Sequence, residues 1–336
     1  MHPVEAAWRK FRHSADYLWL ARSLQDRRPY LDFLGLEALP PEVALPGALA
    51  WNLVALAEAR ARGERTGKSV SNKGSMLVNT VHTWAAYCQS KTIYQIEPAL
   101  ADCLARSPWP AETPTEALRV PTVCPVLCIP REDGHINHVA ATLDLLTGAE
   151  ASGAFEMRLS MLTVDGDLWI PIALLHLTGR TLSECIDAAA AEATTHGAPK
   201  RIANVWRNDL SGLALTILLY IAGEPDLVRL VHPGAKPLKA KIARTDPDRY
   251  RDLSEPTVHA VGKAFARAIE HWEIEHRGDE GVTTGRIMRP HMRRAHSHLY
   301  WTGEGRTQPR VRFLLPIRVK GGRLVEEPAP REINVR

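Results

Sequence analysis

Residues 154–177 read AFEMRLSMLTVDGDLWIPIALLHL. Two apolar runs flank Val164-Asp165-Gly166-Asp167. Asp-Gly between such runs signals a tight hairpin, because glycine readily takes the positive φ that a two-residue turn demands. This stretch predicts two antiparallel strands, and so a sheet in the middle of the chain.

Working outward, TVCPVLCI (residues 122–129) is a third strand candidate, and RVRFLLPIRV (residues 310–319) a fourth. Before them the pattern is helical. Val4, Trp8, Phe11, Ala15, Leu18 and Trp19 recur every three or four residues, which places them on one helix face. A second helix fits Pro46 to Ala61, a third Met76 to Ser90 and a fourth Ile96 to Arg106. After the hairpin, Thr181-Leu-Ser-Glu184 is a capping box opening a helix to about Thr195. A long buried helix fits Arg201 to Ala222, with Gly223 as its C′ residue, and Glu255 to His276 reads as amphipathic helix. The expected fold is α+β: N-terminal helices, a central largely antiparallel sheet, further helices and a basic C-terminal strand region. The Pro-rich stretch SPWPAETPTEALRVP divides the chain into a helical region, 1–110, and an α+β region, 111–336, which also read as one continuous domain.

The chain has 336 residues, 45% of them hydrophobic and 24% charged, as in ordinary globular proteins. Its net charge of +4 is unevenly spread. From Arg289 to Arg336, eleven Arg and Lys against four Glu give +7, and the rest of the chain carries −3. Five cysteines with scattered spacing argue against a disulfide framework and for a reducing compartment. Cys124 and Cys128 have no matching second pair and read as buried small hydrophobes, not zinc ligands. No signal peptide is evident, and the longest apolar run, from Leu213, is about half of a bilayer span. A cytoplasmic protein with no membrane partner is expected.

Two motifs bear on chemistry. GERTGKS, from Gly63, has three residues between its glycines where a phosphate-wrapping loop has four, and it follows a helix, so no nucleotide site is expected. RPHMRRAHSHLYW, residues 289–301, holds three arginines, three histidines, a Tyr and a Trp. His291, His296 and His298 have the chemistry for metal ligation or acid–base cleavage of RNA. The surrounding arginines would repel a divalent cation, so neither a metal nor a cofactor is expected. Arg289, Arg293, Arg294, Arg306, Arg310 and Arg312 offer forked donors for phosphate, while Tyr300 and Trp301 offer stacking surfaces. The same composition suits an acidic protein surface, or arginines pinning backbone carbonyls. Arg293 and Arg294 are the best candidates for a polyanion contact; Tyr300 and Trp301 are expected to pack. No catalytic residue is assigned.

The segment from Arg289 to Val319 resembles the C-terminal signature of the second described family of type V-A anti-CRISPR proteins. The signature residues are Arg289, Pro290, His291, Arg293, Arg294, His296, His298, Trp301, Gly303, Gly305, Arg310 and Arg312. TIYQIEPALADCL, PAETPTEALRVPTVC, LLYIAGEPDLV and SEPTVHAVGKAF are similar to further family segments, in the same order, from about Trp84 onward. Ser297 and Phe313 stand where the family has Trp, Lys320 where it has Asn, and Pro125 follows Cys124 in a stretch that is otherwise more aromatic. The resemblance implies a protein of phages or plasmids that recognises the nascent N-terminal polypeptide of a CRISPR effector nuclease. Loss of the message being translated would follow. The partners implied are that nascent peptide, the translating ribosome or mRNA, and a host RNA decay factor. The alternative from the residues alone is an RNA-binding protein or metal-independent RNase using the His/Arg segment.

Overall fold

The computed structural model of the chain describes residues 2–12, 50, 54–55, 58–59, 61–63, 71–147, 155–165, 168–177, 181–195, 202, 205–206, 209–234, 255–267, 291–293, 296–314 and 317–319. Among the described residues, helices include α1 (Pro3–Arg12), α2 (Asn72–Ser90), α3 (Pro98–Ala105), α4 (Leu182–Thr195) and α5 (Leu210–Gly223). Seven strands form one sheet: β1 (Thr92–Ile96), β2 (Pro125–Pro130), β3 (Ile136–Thr147), β4 (Phe155–Asp165), β5 (Leu168–Leu177), β6 (Val228–His232) and β7 (Thr257–Val261). The order across it is β5-β4-β3-β2-β1-β7-β6. The β1 strand pairs in parallel with both β2 and β7, and every other pair in this sheet is antiparallel.

The expected α+β class holds, with a mixed sheet. The hairpin that opened the reading is present: β4 and β5 pair down to Asp165 opposite Leu168. A bulge at Ile172 interrupts them, and the freed Ile172 carbonyl accepts a hydrogen bond from Ser211 Oγ at 3.2 Å. Within TVCPVLCI the strand begins only at Pro125, as β2, and its continuous apolar character has a clear cause. Val126 and Cys128 face one layer, Leu127 and Ile129 the other, so the strand is buried on both sides.

Two layers cover the sheet. On one side Trp8 of α1 and Trp84 of α2 pack on Trp169 of β5, with ring centroids 5.5 Å (Trp8–Trp84) and 5.3 Å (Trp84–Trp169) apart. On the other, α3, α4 and α5 bury Leu100, Ile186, Leu215 and Leu218. The N-terminal helix is also held electrostatically. Glu5, Lys91 and Tyr87 meet in the interior: Lys91 Nζ lies 3.5 Å from Glu5 Oε1, and the Tyr87 hydroxyl donates to Glu5 Oε2 at 3.4 Å.

The capping box is as expected. Thr181 N donates to Glu184 Oε2 (3.1 Å) and Glu184 N to Thr181 Oγ1 (3.3 Å). Other boundaries differ. The third helix begins at Asn72, because Ser71 caps it by accepting from Gly74 N at 3.0 Å, so NKGS is helix and not loop. Ile96 ends a strand; Pro98 starts the next helix, its fixed φ suiting the first turn. The Glu255–His276 helix is corrected: Thr257–Val261 is a strand held between β1 and β6, with Tyr94 stacked on His259 (centroids 5.0 Å apart). Gly262, at φ 93°, breaks it, and residues 263–267 are helical. The long buried helix begins at Leu210, capped by Asp209, whose carboxylate accepts from Ser211 N at 2.8 Å. Gly223 is its last helical residue, not a left-handed C′. Ala15, Leu18, Trp19, most of Pro46–Ala61, residues 64–69 of the GERTGKS motif, Gly166–Asp167, residues 268–276 and Lys320 lie outside the described residues. Among the described residues, no helix is long and apolar enough to cross a membrane.

Candidate functional site

The signature segment folds as small antiparallel pairs. One pair joins β8 (His291–Arg293) to β11 (Ile317–Val319). The other joins β9 (His296–Thr302) to β10 (Gln308–Leu314), with His298 opposite Arg312, Tyr300 opposite Arg310 and Trp301 opposite Pro309. Side chains alternate along a strand, so His296, His298, Tyr300, Arg310 and Arg312 share one face. Leu299, Val311 and Phe313 share the other, and that face packs on the core. The connecting turn explains the Gly-x-Gly spacing: Gly303 and Gly305 take φ of 78° and 70°.

The hairpin is clamped to the end of α5. Arg310 Nε donates to the Gly223 carbonyl at 2.8 Å, at a helix C-terminus where a cation is favoured. Arg312 Nε stands 3.7 Å from Glu224 Oε1, and Phe313 packs on Tyr220 with centroids 5.6 Å apart. A Cβ on Gly223 would overlap the Val311 carbonyl, so this glycine is there for close approach. Thus Arg310 pins a backbone carbonyl, while Arg312 remains half exposed. His298 and Tyr300 meet at a tilt on the outward face, with centroids 4.5 Å apart. The expectation that Tyr300 and Trp301 pack is corrected: they are 39% and 50% exposed, because they lie toward the turn end of the hairpin, away from Val311 and Phe313. Among the predicted site residues, His296, His298, Tyr300, Trp301, Arg310 and Arg312 come together on this hairpin. His291 and Arg293 lie on the separate β8–β11 pair. Arg289 and Arg294 lie outside the described residues.

A cleft of about 680 Å³ opens where α3, the β2–β3 turn and the start of α5 meet. Leu104, Trp109, Ile129 and Leu213 give it apolar walls. Its rim carries Asp102, Glu132, Asp133 and Asp209. Asp102 pairs with Arg106 and Asp133 with Arg131 (3.0 Å), so Glu132 and Asp209 leave the rim with excess negative charge. No local sequence pattern marks this cleft, since its walls come from separated apolar runs. On the opposite side of the sheet, His2, Cys128 and His138 converge, which no local spacing could reveal.

The model of the AcrVA2-like family, described as the anti-CRISPR type V subtype A2 family, matches residues 94–321. The chain belongs to that family. The matched span contains all of the cleft's lining and the whole β9–β10 hairpin. The fold is also similar to the crystal structure of AcrVA2, with a TM-score of 0.58 and 18% identity, covering 94% of this chain and 99% of that one. No curated protein matches the sequence.

Proposed function

We propose that this chain lowers the production of a CRISPR effector nuclease by capturing the N-terminal segment of its nascent polypeptide, with loss of the message being translated. Membership of the anti-CRISPR family over residues 94–321 carries this reading. The cleft supplies the capture site: apolar walls take side chains of an extended peptide, and the acidic rim favours a basic one. The exposed side chains of the hairpin, His298, Tyr300 and Arg312 on its outward face and Trp301 near its tip, supply a polyanion contact toward the message or the ribosome, with a salt-dependent share of affinity. A host RNA decay factor completes the loss of the message.

The test uses the purified full chain and a labelled N-terminal peptide of the effector. Glu132→Lys, on the exposed turn, should weaken peptide binding at least about tenfold, roughly the 1.4 kcal/mol of one reversed contact at the rim. Arg312→Gln should leave peptide binding unchanged and weaken RNA binding. Unchanged peptide affinity in Glu132→Lys removes the cleft from the account. Cleavage of naked RNA by the purified chain, abolished in His296→Ala or His298→Ala, would favour the RNase instead.

A further inference from the structure

We propose that His2, Cys128 and His138 form a three-ligand zinc site that ties the start of the chain to the centre of the sheet. Cys128 on β2 and His138 on β3 are direct cross-strand partners, so their side chains rise from the same face. His2, just before α1, comes down onto that pair. Its Nε2 lies 3.4 Å from Cys128 Sγ, and its ring meets His138 edge-on with centroids 5.7 Å apart. One donor atom from each residue lies within 4.8 Å of the other two. In tetrahedral zinc, bonds of about 2.3 Å to sulfur and 2.0 Å to nitrogen put S and N about 3.5 Å apart. The observed S–N separation already matches that edge.

The donors suit the ion. One thiol and two imidazoles are ligands that zinc takes, and carboxylate-preferring ions would find nothing here to prefer. Burial, helped by the neighbouring His138 and the N-terminal amine, holds His2 down to about 4, and burial also lowers His138. Both imidazoles are therefore neutral at pH 7, the form that ligates. Burial pushes the Cys128 thiol up to about 12, so it stays protonated until a cation arrives. Loading then exchanges its proton: zinc bonds to the sulfur, and one H⁺ leaves to solvent. Coordination through His2 Nε2 places the ring proton on Nδ1 and gives up the 3.3 Å contact from the Val4 amide. His2 and His138 are half-buried, so water can fill the fourth position.

Cobalt is the probe, because a thiolate–cobalt charge-transfer band reports cysteine ligation and excludes binding by the C-terminal histidines. Metal-free full-length chain titrated with Co²⁺ should give that band, with strong tetrahedral d–d absorption, saturating at one ion per chain and displaced by Zn²⁺. Cys128→Ser should abolish the band. His138→Gln should weaken binding by more than the about 10- to 100-fold typical of an outer-shell change. Cys88→Ser and Cys103→Ser should keep it. No thiolate band in the wild-type chain overturns the proposal, whatever the variants do. A band that survives in folded Cys128→Ser, checked by circular dichroism, overturns it too.

Discussion

Trp301 and Trp84 show how little residue type says about burial. Trp301 is half exposed at the tip of the hairpin, whereas Trp84 meets four aromatic rings in the core. Trp301→Ala should therefore change stability by less than about 1 kcal/mol, and Trp84→Ala should cost about 3–5 kcal/mol. Chemical denaturation of the two variants checks the contrast; equal losses would contradict it. Glu5 sits 3% exposed against Lys91, itself 3% exposed. Removing one partner leaves a buried charge, so Glu5→Ala should cost about 3 kcal/mol, more than a replacement of the pair by apolar residues. The histidines add a pH dependence. His2, His138 and His259 have folded pKa values below the ordinary one, so the unfolded chain binds more protons. Stability is full above about pH 6.5 and falls as the pH drops toward 4. Melting temperatures in chelator across that window should decline, and His2→Gln should shrink the decline.

Among elements, the α5–hairpin joint fixes how the hairpin is held on the core. Gly223 permits the Val311 backbone to lie against the helix end, and Arg310 seals it. Gly223→Ala forces the two backbones apart and should cost about 1–3 kcal/mol. The loss should appear first as faster amide exchange in Gln308–Leu314, with β1 and β2 unaffected. Uniform acceleration would contradict a local joint. The alternating Arg310, Arg312 and His298 pattern exposes the strands, Thr181–Glu184 announces its own cap, and the apolar runs either side of the Asp-Gly pair announce the β4–β5 pairing. The strand Thr257–Val261 is different. Its neighbours, β1 and β6, are supplied by distant sequence, so only assembly reveals it as strand and not helix. Gly223 misleads for a related reason: its lack of a side chain serves a contact with residue 311, not a left-handed turn.

At the scale of the whole molecule, the parallel β1 strand joins segments on either side of residue 110, with β2 and β7 as neighbours. The cleft and the hairpin lie on parts of the same fold, joined through α5, whose start lines one and whose end carries the other. The cleft was hidden in the sequence because its apolar walls look like any core; the hairpin was visible because charge and aromatics concentrate in one short run. A peptide in the cleft and a message at the hairpin would act together only during translation. The measurement that tests this most directly is the level of the effector transcript in cells with and without the chain, using two reporters, one intact and one lacking its start codon. The account predicts that only the translated message falls. A fall in both would contradict it and place the action on RNA itself, and no fall in either would show that this chain does not act on that message.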